Sequence, residues 1–296
     1  MANLKEVKNR INSVVSTQQI TKAMKMVAAA KLKRAQDRIT MMRPYSQHLS
    51  AILQNVSENN DGDMDNPYAE QRPVGKLLIV LVTSDKGLCG AFNSFVVRKA
   101  KSLMEGQYLE LAKSGNIDFL PIGKKGMEYV RRNKLPYNAT YVDLFNSLNF
   151  ADVSEAANYV MKEFTKGTYD KVEILYNEFI NAATQVVNNE QFLPIEKKEE
   201  EGSTAKSSGN DYIYEPSKDY IQDELIPTSL KTQFFKALLD SNASEQGARM
   251  TAMDKATENA GDLLKELRLK YNRTRQAAIT TEILEITAGA EALAAQ

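Results

Sequence analysis

Residues 4–43 read LKEVKNRINSVVSTQQITKAMKMVAAAKLKRAQDRITMMR, and no glycine interrupts the chain from Leu4 to Ser57. Leu4, Val7, Ile11 and Val14 recur at steps of three and four, and so do Ala28, Leu32, Ala35, Ile39 and Met42. That spacing lays one apolar stripe along a helix. Gln18 and Thr21 interrupt the stripe, while Ile20, Met24 and Val27 offer a second one in shifted phase. The pattern predicts a coiled-coil seam with a stutter at that point. Pro44 is expected to kink the helix or to break it near Arg43, since proline has no amide for the preceding turn.

The far end of the chain carries a matching pattern. There is no proline from Thr228 to Ala288. A stripe starts with Leu230, Phe234 and Leu238, continues through Met253, Ala256, Ala260, Leu263 and Leu267, and closes with Ile279, Ile283 and Ile286. Gly247 and Gly261 lie inside it; each costs about 1 kcal/mol against alanine, and each allows a close helix contact. A helix of about 55 residues is about 80 Å long. A compact chain of this size has a radius of gyration near ~19 Å. Neither terminal helix fits inside such a body, so at least one is expected to project. Pairing the two ends as an antiparallel coiled coil covers both narrow stripes.

Between them the rhythm changes. Residues 58–74 form a polar loop with Pro67 and Pro73. Residues 76–83, KLLIVLVT, read as a buried central strand. Helix is expected over 95–113, strand over 117–122, a short helix over 126–133 and a weak strand over 141–145. An amphipathic helix follows over 153–165, then strands over 172–176 and 185–194 that pair as a hairpin. This alternation predicts an α/β class, with an open, mostly parallel, Rossmann-like sheet covered on both faces. Residues 197–211 are a low-complexity polar loop. The expected division is a helical segment 1–57, an α/β domain 75–196, a polar loop 197–227 and a helical segment 228–296.

Composition removes several kinds of chemistry. Cys89 is the only cysteine, so neither an internal disulfide nor a cysteine zinc site can form. His48, the only histidine, sits in a helical stretch with no nucleophile motif near it and reads as a surface or packing residue. No apolar run reaches the roughly 18 residues a membrane span needs. The first residues lack the apolar stretch of a secretory signal. A bacterial cytoplasmic address is the simplest expectation, although a mature organelle chain would look the same. Net charge is zero, yet residues 1–43 hold ten Lys or Arg against Glu6 and Asp37. Such a basic arm calls for nucleic acid, anionic lipid or an acidic protein surface. The absence of aromatics before Tyr45, and the apolar seam between the charges, favour protein over nucleic acid.

Residues 83–93, TSDKGLCGAFN, follow the first strand and precede a helix, where a doubly wound sheet would bind a ligand. Gly87 and Gly90 do not make G-x-G-x-x-G, and Gly123-Lys-Lys-Gly126 is not a P-loop. A sharp structural turn is the better reading, with Cys89 as a packing residue. No cofactor is expected. Near the end of the chain, Arg249, Arg275, Gln276, Thr280 and Glu282 accompany an otherwise apolar tail. An apolar tip on a projecting rod suggests insertion into a protein sleeve.

Residues 279–292, ITTEILEITAGAEA, resemble the C-terminal signature of the gamma subunit of the rotary ATP synthase in its bacterial form. Residues 10–14 (RINSV) and 17–30 (TQQITKAMKMVAAA) are similar to that family's first helix. Residues 84–90 (SDKGLCG), 211–216 (DYIYEP) and 248–259 (ARMTAMDKATEN) follow in family order. The blocks span nearly the whole chain. The resemblance implies a non-catalytic rotor shaft: a coiled coil turning inside a ring of alpha and beta subunits, on a Rossmann-like foot. That foot would meet epsilon and the membrane c-ring at the cytoplasmic face of the inner membrane, without inserting into the bilayer. Arg275 and Gln276 would meet a beta loop, with Thr280 and Glu282 nearby. Arg249 would make a further beta contact, and Met24 and Lys25 would face a beta lever. Tyr212, Tyr214 and Glu215 would lie near the c-ring, and Lys86 and Cys89 in the foot near epsilon. With a single cysteine, the dithiol switch of chloroplast forms has no chemical basis here. Two other readings compete. A Rossmann-like nucleotide-binding enzyme with a coiled-coil arm would bind nucleotide tightly. A basic coiled-coil nucleic-acid binder would show salt-dependent DNA affinity.

Overall fold

The computed structural model describes residues 4–58, 67–195 and 218–294. The elements are α1 (Leu4–Glu58), β1 (Leu77–Val82), α2 (Phe92–Glu105), α3 (Leu109–Lys113), β2 (Ile117–Ile122) and α4 (Lys124–Arg132). A 3-10 turn (Leu144–Ser147), α5 (Phe150–Thr165), β3 (Lys171–Phe179), β4 (Gln185–Leu193) and α6 (Lys218–Ala294) complete them. The chain divides into two units. One joins Met1–Ala29 to Arg249–Gln296, and the other spans Ala30–Ala248.

In the first unit the ends of α1 and α6 pair. Gln18 of α1 faces Gly261 and Thr257 of α6, Thr21 faces Thr257, and Lys25 faces Asp254. Partner numbers fall as α1 numbers rise, so the helices run antiparallel, as expected. The expected change of phase does not occur. Ile20 and Val27 are 59% and 56% exposed. Gln18 and Thr21 stay in the seam instead. The hydroxyls of Thr21 and Thr257 lie 2.8 Å apart, and the Gln18 amide donates to the Thr257 carbonyl at 3.4 Å. A polar layer whose groups are hydrogen-bonded costs little, so the seam runs straight through it. Gly261 permits this approach, since a Cβ there would lie 3.1 Å from Gln18 Nε2.

On α6 the seam follows Met253, Ala260 and Leu264, all buried, whereas Leu263 is 44% exposed. The expected residue is therefore off by one position. Leu264→Ala should cost the isolated chain about 2–3 kcal/mol in a denaturant melt, and Leu263→Ala under about 1 kcal/mol. The reverse order would restore the shifted seam.

The second unit holds a sheet in the order β2-β1-β3-β4, with β1 parallel to β2 and β3, and β4 antiparallel to β3. All six residues of β1 are buried. Leu78, Val80 and Val82 face a cluster with Val153, Val160 and Phe164 of α5 and Leu230, Phe234 and Leu238 of α6. Leu77, Ile79 and Leu81 face Val96, Ala100 and Leu103 of α2 and Val130 of α4. Burial on both faces is why β1 reads as continuous rather than alternating apolar sequence. Pro121 sits in β2 without cost. The Phe119 amide points away from β1 to the Pro136 carbonyl, so the amide that Pro121 lacks lies on the same outer edge.

Four local expectations need correction. Residues 95–113 form two helices, because the chain turns through Gly106 to bury Tyr108. Residues 141–145 are not a strand. On the outer edge of β2, Phe119 bonds to Pro136 and Asn138, Pro121 has no amide to offer, and Val142 reaches only the Gly123 amide just beyond the strand. α1 continues through Pro44, flanked by buried Ile39 and Leu49, so of the two outcomes expected there the break does not occur. α6 begins at Lys218 with Pro227 inside it, ten residues before the expected start at 228, which shortens the expected polar loop 197–227. Among the described residues no helix is long and apolar enough to cross a membrane.

Candidate functional site

The turn after β1 is where a bound nucleotide would be sought. Thr83 Oγ1 accepts from the Gly126 amide at 2.7 Å. The Ser84 amide donates to Asn93 Oδ1 at 2.9 Å, and the Lys124 amide donates to Asp85 Oδ1 at 3.1 Å. The amides a phosphate would use are therefore already engaged by the chain's own side chains. Gly123 has φ +101°, and a Cβ there would fall 2.1 Å from the Thr83 carbonyl oxygen. At Gly126 a Cβ would fall 2.8 Å from Thr83 Oγ1. These glycines let helix and strand approach each other, and that is their role. Lys124 pairs with Asp143 at 3.1 Å, and this contact raises its pKa above the ordinary lysine value.

Cys89 is buried against Phe92 and Ala248, as the packing reading expects. Asn93 Nδ2 donates to its sulfur at 3.3 Å and to Ser84 Oγ at 2.8 Å. Lys86 is exposed, and its carbonyl accepts from Ser84 Oγ at 2.8 Å. Leu88, between them, is 67% exposed with φ +64°. A leucine held outward in the left-handed region is costly in two ways at once and marks a contact surface. Sequence reading missed it, because the glycines drew attention away from the residue between them.

The C-terminal set lies in the first unit. Met24 and Lys25 are half-buried, and Lys25 Nζ lies 2.6 Å from Asp254 Oδ1. Lys25, but not Met24, borders an open dip of about 500 Å³ shared with Gln18, Gln19, Lys22 and Met26. Lys22, one turn before Lys25 and Met26, was legible as a neighbour by its helical spacing. Arg249 is half-buried. Leu4 is twenty-one residues before Lys25, and Arg275 is twenty-one after Asp254. Antiparallel register therefore sets Arg275 opposite the first described residue of α1. From Arg275 to Glu291 every residue is exposed, including Gln276, Thr280 and Glu282. The Thr280 hydroxyl donates to the Gln276 carbonyl at 3.0 Å. Ile283, Leu284 and Ile286 are each more than half exposed on this stretch. Tyr212, Tyr214 and Glu215 lie outside the described residues.

A family model described as ATP synthase matches residues 3–293. The ATP synthase gamma chain of Cytophaga hutchinsonii is 56% identical over 293 residues, covering 99% of each chain. That of Flavobacterium johnsoniae is 51% identical with the same coverage. Among solved structures, a chain of the central stalk and c-ring of Tetrahymena thermophila mitochondrial ATP synthase is 28% identical, with a TM-score of 0.55. It is covered to 99%, against 80% of this chain. A chain of the Euglena gracilis mitochondrial ATP synthase rotor, 21% identical, shares the fold with a TM-score of 0.63, over 93% of this chain and 98% of that one. By its full-length match and its identity to named relatives, this chain belongs to the ATP synthase gamma-chain family.

Proposed function

We propose that this chain is the central shaft of a bacterial ATP synthase, turning ion-driven rotation of a membrane c-ring into conformational change at catalytic beta subunits. The observation that carries the proposal is the exposed end of α6. A helix with Ile283, Leu284 and Ile286 exposed, and no partner beside them among the described residues of α1, needs an apolar lining supplied by other chains. A ring of alpha and beta subunits supplies it.

The work is coupling by differential contact. The shaft offers different side chains around its circumference. Each beta conformation then has its own contact free energy with the face it meets, and rotation shifts the three site affinities in turn. Arg275 and Gln276 would grip a beta loop, with Thr280 and Glu282 beside them. Arg249 would add a polar contact lower down. Met24 and Lys25, the latter at the rim of the dip, would face a beta lever, and Lys22 extends the same basic rim. Catalysis stays with beta, so this chain needs no cofactor.

The α/β domain, residues 75–196, would be the foot. Lys86, the outward Leu88 and the buried Cys89 behind it would form the loop that approaches epsilon, and Tyr212, Tyr214 and Glu215 would approach the c-ring. This places the chain at the cytoplasmic face of the inner membrane as a peripheral subunit. Gentle purification of the tagged chain from native membranes tests the reading directly. Alpha, beta, epsilon and c subunits should accompany it in fixed ratio. Recovery of the chain alone, or tight binding of nucleotide by the isolated chain, would overturn it.

A further inference from the structure

The outer face of α2 and α4 carries more positive charge than its own carboxylates balance. On these elements Lys101 pairs with Glu105, Lys124 with Asp143 and Lys125 with Glu128. Arg98 and Lys99 of α2, and Arg131, Arg132 and Lys134 at the end of α4, are exposed; among the described residues the one carboxylate that feels Arg131 and Arg132 is Glu128, which is already paired with Lys125. The helices lie side by side, since Tyr129 of α4 feels both Lys101 and Glu105 of α2. Their other sides are buried in the cluster beneath the sheet, so the cations can only face outward. The whole chain is neutral, which makes this local surplus a property of the face. Arg98 lies over the ring of Phe95, 5.9 Å from its centroid, and Phe95 is itself 42% exposed.

We propose that this face is a docking surface for anionic phospholipid headgroups. A protein partner would require a desolvated apolar centre ringed by polar groups. Here the pattern is inverted: exposed cations spread over a pair of helices, around one exposed aromatic residue. Spread basic residues suit a fluid negative surface, where each gains independently within a Debye length. An aromatic ring under an arginine suits the headgroup level. The proposal rests on the reading of this domain as the foot beside the membrane ring.

The test is co-sedimentation of the full chain with vesicles of neutral phosphatidylcholine, alone or with about 40% phosphatidylglycerol. The chain should bind the anionic vesicles, ignore the neutral ones, and be released by about 0.5 M salt. The triple change Arg131→Gln, Arg132→Gln, Lys134→Gln should weaken binding by at least about tenfold. Because α1 is also basic, a matched triple there, Lys8→Gln, Lys31→Gln, Arg34→Gln, is the control and should alter binding by less than about twofold. Arg98→Gln with Lys99→Gln gives an independent variant should the α4 triple disturb folding. No binding by the unaltered chain, or equal losses in the α1 and α4 triples, would overturn the proposal. Co-purification with the other subunits would then still stand, which separates this failure from failure of the shaft reading.

Discussion

Gly123→Ala should unfold the α/β domain at ordinary temperature. A Cβ at this position would lie 2.1 Å from the Thr83 carbonyl oxygen and 2.7 Å from its carbon, both backbone atoms that cannot swing away. The backbone φ of +101° adds strain for any L side chain. Thr83 is fully buried at the end of β1, and Gly123 joins β2 to α4, so relief would require moving a central strand or a covering helix. The expected loss is at least about 4 kcal/mol, at the extreme of single substitutions. Circular dichroism and a denaturant melt check it. Gly87→Ala, whose Cβ would meet nothing within 4 Å, is the comparison and should be nearly neutral. Equal melts for the two would mean that the turn is not the close-approach device described.

Arg275→Ala with Gln276→Ala should leave the isolated chain as stable as before and lower coupled ATPase activity of the assembled complex by about tenfold or more. The first half follows from exposure. Both side chains are exposed at the last described turn of pairing with α1, so their loss should shift a melt by under about 0.5 kcal/mol. The second half rests on the proposed grip of a beta loop, which would make charge-assisted hydrogen bonds where water is excluded. Unaltered turnover and unaltered proton pumping in the double variant would remove these residues from the coupling path.

The sequence revealed the large divisions because they rest on long patterns. The absence of glycine from Leu4 to Ser57 and the unbroken apolar run of β1 both depend on many residues at once. It failed where a single competing contact decides. Val142 and Leu144 are buried on either side of exposed Asp143, a pattern a strand would share, but Pro136 and Asn138 hold Phe119 of the sheet edge and only the Gly123 amide is left to Val142. Gln18 and Thr21 looked like a fault in the seam, because hydrogen bonds to a residue 236 or more positions away leave no local trace. Leu263 and Leu264 are adjacent leucines, and only the partner helix chooses between them. The polar residues of the α6 end were legible as unusual. What they touch belongs to other chains, so neither pattern nor geometry in this one displays it.

The walls around Cys89 turn a solitary thiol into a clock. With Phe92 and Ala248 closed over it, a maleimide dye can reach the sulfur only when α2 or α6 lifts away. The labelling rate in water, divided by the rate in denaturant, then reports how often that gap opens. A chain with one cysteine needs no engineering for the measurement, and a bound neighbour that clamps the turn would slow it.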